Sequence, residues 1–217
     1  MRFPSWVGDP KFDHLTKLMV WSCKSTHLPT LECLGYLRRL VVQRLSEVKT
    51  VGFELLATAN SYIGFAFPSL EVLEFGYMQE LVEVSIRLIP SLRVLHVEEC
   101  SKSVLRSMVS LSWSLVKLTI SNVKGLTQIH EEDLMRLGAL GHLFIKKFDE
   151  LRYLWERESE ACKNLVSLQK LEVWWCKNLV SSAERENNFG ISMESLKRVQ
   201  LCYCDTLESY NFPKSFE

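Results

Sequence analysis

The chain has 217 residues, 47% hydrophobic and 24% charged, a composition that excludes disorder as its main state. Its 26 Lys and Arg balance 26 Asp and Glu, and this zero net charge excludes a diffuse basic surface built to neutralise nucleic-acid phosphates or anionic lipid. No run of about 18 apolar residues could span a bilayer, and the opening Met1-Arg2-Phe3-Pro4-Ser5-Trp6 lacks the apolar stretch of a secretory signal. Seven Cys, an odd number without a pairing pattern, fit a reducing compartment, so the cytoplasm is the expected location. Leu is over-used, at 34 of 217 residues, which raises the question of whether it is periodic.

It is. The pattern Leu-x-x-Leu-x-apolar-x-x-(Cys or apolar) recurs eight times, in frames opening at Leu15, Leu37, Leu70, Leu92, Leu115, Leu140, Leu168 and Leu196. The mean spacing, about 26 residues, is that of a leucine-rich repeat. Position four runs Leu18, Leu40, Leu73, Leu95, Leu118, Leu143, Leu171 and Val199; position six runs Val20, Val42, Phe75, Val97, Ile120, Ile145, Val173 and Leu201. Two residues apart on an extended strand, these side chains share one face, and that face is core. Position nine (Cys23, Leu45, Met78, Cys100, Val123, Phe148, Cys176, Cys204) breaks the period of two, so the chain has turned while still pointing inward. A further apolar residue follows three later in six frames, at Val48, Leu81, Leu126, Leu151, Leu179 and Leu207. No single coil buries such a set alone, so the coils must stack with their strands parallel. Amphipathic helices would repeat at three and four, against the two-residue step seen here.

Between the strands the chain varies. The unit opening at Leu37 is long, and residues 52–67 read as a loop inserted on the convex side. Pro68-Ser69-Leu70 and Pro90-Ser91-Leu92 mark an extended re-entry into the strand. Short helices are expected over Glu131–Leu137, where Glu131-Glu132-Asp133 suits the positive end of a helix dipole, and over Glu156–Cys162.

Chemical motifs are sought without result. Gly-x-x-x-x-Gly-Lys does not occur, and the five His lie in different frames without a metal-ligand or nucleophile pattern. His96, at position five of its frame, and His142, at position three of its own, read as ordinary surface residues. Four position-nine Cys lie in four different coils, without the close spacing of zinc ligands, and read as small inward thiols that donate weakly to a neighbouring carbonyl. Cys202 points outward and Cys204 inward, so they diverge. No catalytic, cofactor or metal site is expected.

The repeat instead supplies a surface. Positions three, five, seven and eight face away from the core, and eight strands at ~4.8 Å make a ledge roughly 34 Å across. The candidate protein-binding face comprises Trp21, Arg39, Arg44, Glu74, Tyr77, His96, Glu98, Lys117, Phe144, Lys146, Lys170, Trp174, Trp175, Arg198 and Tyr203. Its aromatics are the anchors that dominate protein interfaces, and its charges band by sign: basic at Arg39 and Arg44, acidic around Glu71, Glu74, Glu98 and Glu99, basic again from Lys117 to Lys170. Trp174 and Trp175 also fit the plainer role of covering a neighbouring coil or a domain outside these residues.

Several segments carry a family resemblance. Arg2-Phe3-Pro4-Ser5-Trp6-Val7-Gly8-Asp9-Pro10, Leu15-Thr16-Lys17-Leu18 with Cys23-Lys24, Val48-Lys49-Thr50-Val51-Gly52 and Phe67-Pro68-Ser69-Leu70-Glu71-Val72-Leu73 are similar to the leucine-rich-repeat region of plant intracellular immune receptors of the coiled-coil, nucleotide-binding (NLR) type. Leu168-Gln169-Lys170-Leu171-Glu172-Val173-Trp174-Trp175-Cys176-Lys177-Asn178-Leu179 resembles the same family's irregular repeat. The resemblance implies recognition of a pathogen effector or a guarded host protein, and a part in holding a nucleotide-binding switch domain off. Neither that domain nor the coiled coil lies in these 217 residues, so nucleotide binding is not carried over.

The expected structure is therefore α/β: a leucine-rich-repeat solenoid over residues 1–217, a curved horseshoe with a parallel concave sheet and an irregular convex side bearing short helices. It is expected to bind protein, not nucleic acid, and to catalyse nothing. No polar capping unit precedes Leu15, and solenoids need caps, so a fragment or truncated product is expected. The rival role is the substrate-recruiting subunit of a ubiquitin ligase, which would use the same ledge.

Overall fold

The computed structural model describes residues 6–7, 9–28, 31, 34–53, 67–86, 88–129, 136–154, 164–179 and 195–204. They fall in two compact units, Met1–Ser114 and Leu115–Glu217. In the first, strands β1 (Lys17–Trp21), β2 (Arg39–Gln43), β4 (Val72–Gly76) and β6 (Val94–Glu98) pair in parallel. Two further parallel strands, β3 (Thr50–Phe53) and β5 (Glu83–Ile86), form a separate pair, and one helix, α1 (Lys102–Val109), follows β6. In the second, β7 (Lys117–Ser121), β8 (His142–Lys146), β9 (Lys170–Trp174) and β10 (Arg198–Cys202) pair in parallel. The chain is a parallel β-solenoid.

Every strand other than β3 and β5 starts two residues after the leucine that opens its frame, and equivalent positions pair: Leu18 with Leu40, Leu40 with Leu73, Leu73 with Leu95. A one-residue slip would send the inward side chains to the outer face, so the buried leucines set the register. Position four and position six are buried in the six frames from Leu37 to Leu168. Each such leucine contributes roughly 2 kcal/mol relative to exposure.

The coil corners are built from backbone bonds. At Leu15, Leu37, Leu70, Leu92, Leu140 and Leu168 the opening N–H donates to the carbonyl three residues earlier, at 2.9–3.2 Å. Pro68 and Ser69 are the central residues of one of these turns, closed from Leu70 to Phe67 at 3.1 Å. Proline thus serves as the second residue of a turn, where its fixed φ is an advantage, and not as an extended approach. Ser91 and Ser195, each just before an opening leucine, donate their hydroxyls to Pro68 and Val166 carbonyls of the preceding coil.

Position nine points inward. The Cys100 thiol donates to the Glu98 carbonyl at 3.3 Å, Cys23 to Trp21 at 3.4 Å and Cys176 to Trp174 at 3.5 Å, in each case two residues back. Burial pushes the Cys100 thiol up to about 12, so it is an inert hydrophobe at neutral pH.

Two elements go beyond the expected coil. Helix α1 is capped by Ser101, whose hydroxyl accepts from Val104 N–H at 3.4 Å, and it buries Val104, Leu105, Met108 and Val109. The β3–β5 pair places Val51 and Val84 inside. Gly52 and Phe53 close β3, while 54–66, the bulk of the expected insertion, lies outside the described residues, as do 131–135 and 156–162 of the two expected helices.

Candidate protein-binding face

Position eight decides what the face can display. All eight occupants, Ser22, Arg44, Tyr77, Glu99, Asn122, Lys147, Trp175 and Tyr203, have left-handed backbones, with φ between 46 and 60°. None is glycine, so each carries the steric penalty of a Cβ in that region, of order 1 kcal/mol. What holds them there is a bond: the N–H of Ser22, Arg44, Tyr77, Asn122, Lys147 and Trp175 donates to the position-seven carbonyl of the next coil, at 2.8–3.2 Å. A left-handed residue breaks the strand's alternation, so positions seven and eight both present side chains at the strand's end.

In the first unit the Arg44 guanidinium lies 5.5 Å from the Trp21 ring and 5.2 Å from the Tyr77 ring, joining three successive coils by cation–π contacts. Trp21 is 59% exposed. Arg39 pairs with Glu74 on the neighbouring strand, so the expected basic and acidic bands partly neutralise each other. Glu98 departs from the expectation of an exposed acid: it is buried, with the Tyr77 hydroxyl bonded to it and His96 Nε2 3.8 Å from Oε2. Burial, then that bond to Glu98, raises the Tyr77 phenol above its ordinary value. His96 is half-buried within this group and not an ordinary surface residue.

In the second unit the rings form a chain. Phe144 meets Trp174 edge-on at 5.1 Å, Trp174 meets Trp175 edge-on at 5.5 Å, and Trp175 stacks on Tyr203 at 5.7 Å. Lys146 Nζ lies 5.9 Å from the Phe144 ring. Trp174 is half-buried among these rings, whereas Trp175 and Tyr203 are 40% and 70% exposed. Trp174 thus covers its neighbours, and Trp175 remains available as an anchor.

Across the same face runs a polar row. Lys117, His142, Lys170 and Arg198 stand in register on four adjacent strands. Between them, buried Glu172 takes His142 Nε2 at 2.6 Å on Oε2 and Lys170 Nζ at 2.8 Å on Oε1. A carboxylate only accepts, so His142 carries its proton on Nε2. Burial holds His142 below its ordinary value despite the pull of Glu172. Burial pushes Glu172 up, but the bonds from Lys170 and His142 outweigh it and hold the carboxyl below its ordinary range.

No protein-family model matches the chain. Over 104 residues it is 28% identical to a protein from Arabidopsis thaliana described as a disease resistance protein. That stretch covers 45% of the chain and 7% of the relative's length. The parallel solenoid agrees with a leucine-rich-repeat region.

Thr119 and Ser121, at outward positions, are also buried, so alternation alone overstates the accessible face. The His142–Glu172–Lys170 group was not expected. Its signal is present in the frame arithmetic: Lys170 and Glu172 are two apart on one strand, and His142 is in register beside Lys170. Among the described residues no group of three or more His, Cys, Asp or Glu could hold a metal ion, and no helix is long and apolar enough to cross a membrane.

Proposed function

We propose that the chain is the protein-recognition region of a plant innate-immune receptor of the coiled-coil nucleotide-binding leucine-rich-repeat type. On this reading it senses a pathogen effector or a guarded host protein, and contributes to holding a switch domain off. It works in the cytoplasm, as a binding surface and not as an enzyme. The observation that carries the reading is the relationship to a disease resistance protein over 104 residues. It is supported by the exposed aromatics Trp21, Trp175 and Tyr203, displayed on coils whose inward residues are committed to the core.

The test is genetic. Plants carrying Trp21→Ala, Trp174→Ala and Trp175→Ala in this chain are expected to lose localised cell death against pathogen strains that the unaltered plants resist, or to show it without infection. An unchanged resistance profile at equal protein level rejects the reading.

A further inference from the structure

The sheet face of Leu115–Glu217 has two edges of different chemistry. Along one run Lys117, His142, Lys170 and Arg198, in register. Along the other run Trp174, Trp175 and Tyr203 in continuous ring contact. Glu172, the acid between them, has both oxygens occupied by His142 and Lys170. No described carboxylate pairs with Lys117 or Arg198, the two ends of the row. The first unit differs, since its Arg39 is taken by Glu74 and its Arg44 by two rings.

We propose that this face binds an extended acidic segment of a protein partner, laid across the strands, with carboxylates over the Lys117–Arg198 row and apolar side chains between them over Trp175 and Tyr203. This rests on the reading above that the sheet face binds protein. The distances favour it. Three strand gaps of ~4.8 Å separate Lys117 from Arg198 by about 14 Å, and residues i and i+4 of an extended chain are ~13 Å apart. Successive side chains of such a segment point to opposite sides, so acids at i, i+2 and i+4 face the basic row while the intervening residues face the rings. A nucleic-acid strand also pairs bases with rings and phosphates with cations, but a phosphate backbone draws on an excess of cations, and the 26 Lys and Arg of this chain are balanced by 26 Asp and Glu.

The experiment is a fluorescence-anisotropy titration of the full chain with a labelled peptide alternating Glu and Tyr, a matched peptide with Lys for Glu, and a labelled single-stranded oligodeoxynucleotide. The acidic peptide is expected to bind about tenfold or more tighter than either, and to weaken as salt rises. Lys117→Glu with Arg198→Glu should remove about tenfold in affinity at unchanged circular dichroism, and Lys117→Arg should retain it. Lys24→Glu with Arg152→Glu, the same charge change on exposed residues elsewhere, should leave it intact. Equal binding of the two peptides, no salt dependence, or tighter binding of the oligonucleotide overturns the proposal, with no variant needed. If the peptide fails while the tryptophan variants still change resistance in plants, the acidic partner is rejected and the recognition reading stands.

Discussion

Trp175 and Tyr203 stack in parallel, 5.7 Å between ring centroids and 4° between ring planes. Both sit at position eight of successive coils, where the left-handed backbone carries them to the end of the strand. The stack links β9 to β10 from outside, while Leu171 and Val173 do so from within. Tyr203→Ala should cost about 0.5–1.5 kcal/mol of stability, and Tyr203→Phe much less, because the ring and not the hydroxyl makes the contact. Urea denaturation of the two variants decides it. Trp174→Ala with Trp175→Ala should weaken binding to partner or switch domain without unfolding the chain. Unchanged affinity at unchanged circular dichroism would reject that site.

Arg44 combines a strained backbone, φ 57°, with two ring contacts. Alanine keeps the strain and loses the contacts; glycine loses the contacts but relieves the strain. Arg44→Ala is therefore expected to be less stable than the parent by about 1–2 kcal/mol, and Arg44→Gly to lie between the two. Glycine usually weakens an ordered backbone position more than alanine, so a glycine variant less stable than the alanine one would show that the left-handed strain is absent.

Acidification should destabilise the second unit in two stages. His142 titrates below its ordinary 6.5 when folded, so as pH falls through 6.5 the unfolded chain takes up a proton that the folded one resists, and stability drops. Glu172 is held below its ordinary 4.5, so its contribution is present above 4.5 and disappears as pH falls through the folded value. Glu172→Gln should remove the second stage and, by leaving half-buried Lys170 without its carboxylate, cost about 1–3 kcal/mol at neutral pH. The check is a series of urea midpoints on either side of 4.5 for parent and variant. Parallel curves would exclude Glu172 as the responsible group.

Gly76 occupies position seven of the third frame, where a Cβ would lie 2.7 Å from the Glu98 carbonyl oxygen on the next strand. That oxygen accepts the Tyr77 N–H at 2.9 Å, so it has little room to retreat. Gly76→Ala is expected to destabilise by about 1–3 kcal/mol through backbone displacement. A thermal midpoint equal to the parent's would show that β4 and β6 yield at no cost.

The inward half of this structure was open to reading because it is periodic: Leu73 and Phe75 look like Leu95 and Val97, and the two-residue step between them is a strand's. The outward half was not, since a strand's outer face is covered by whatever its neighbours place over it. Glu98 is covered by Tyr77 of the preceding frame, and Glu172 by His142 of the preceding frame together with Lys170 of its own. Helix α1 was legible in principle, with Ser101 three residues before Val104 and apolar residues at Val104, Leu105 and Met108, but it replaces the turn that other frames make after position nine. The β3–β5 strands are four residues long, too short for a period to declare itself.

The six position-eight N–H bonds have an evolutionary consequence. Each demands of the following coil only a main-chain carbonyl, which every amino acid supplies. A duplicated coil inserted between two others would meet the same acceptor as the original, and a deleted one would bring the next acceptor into its place. Recombination within the gene could thus lengthen, shorten or reorder the array while each display residue kept its backbone conformation, so new combinations of side chains arise without a new fold.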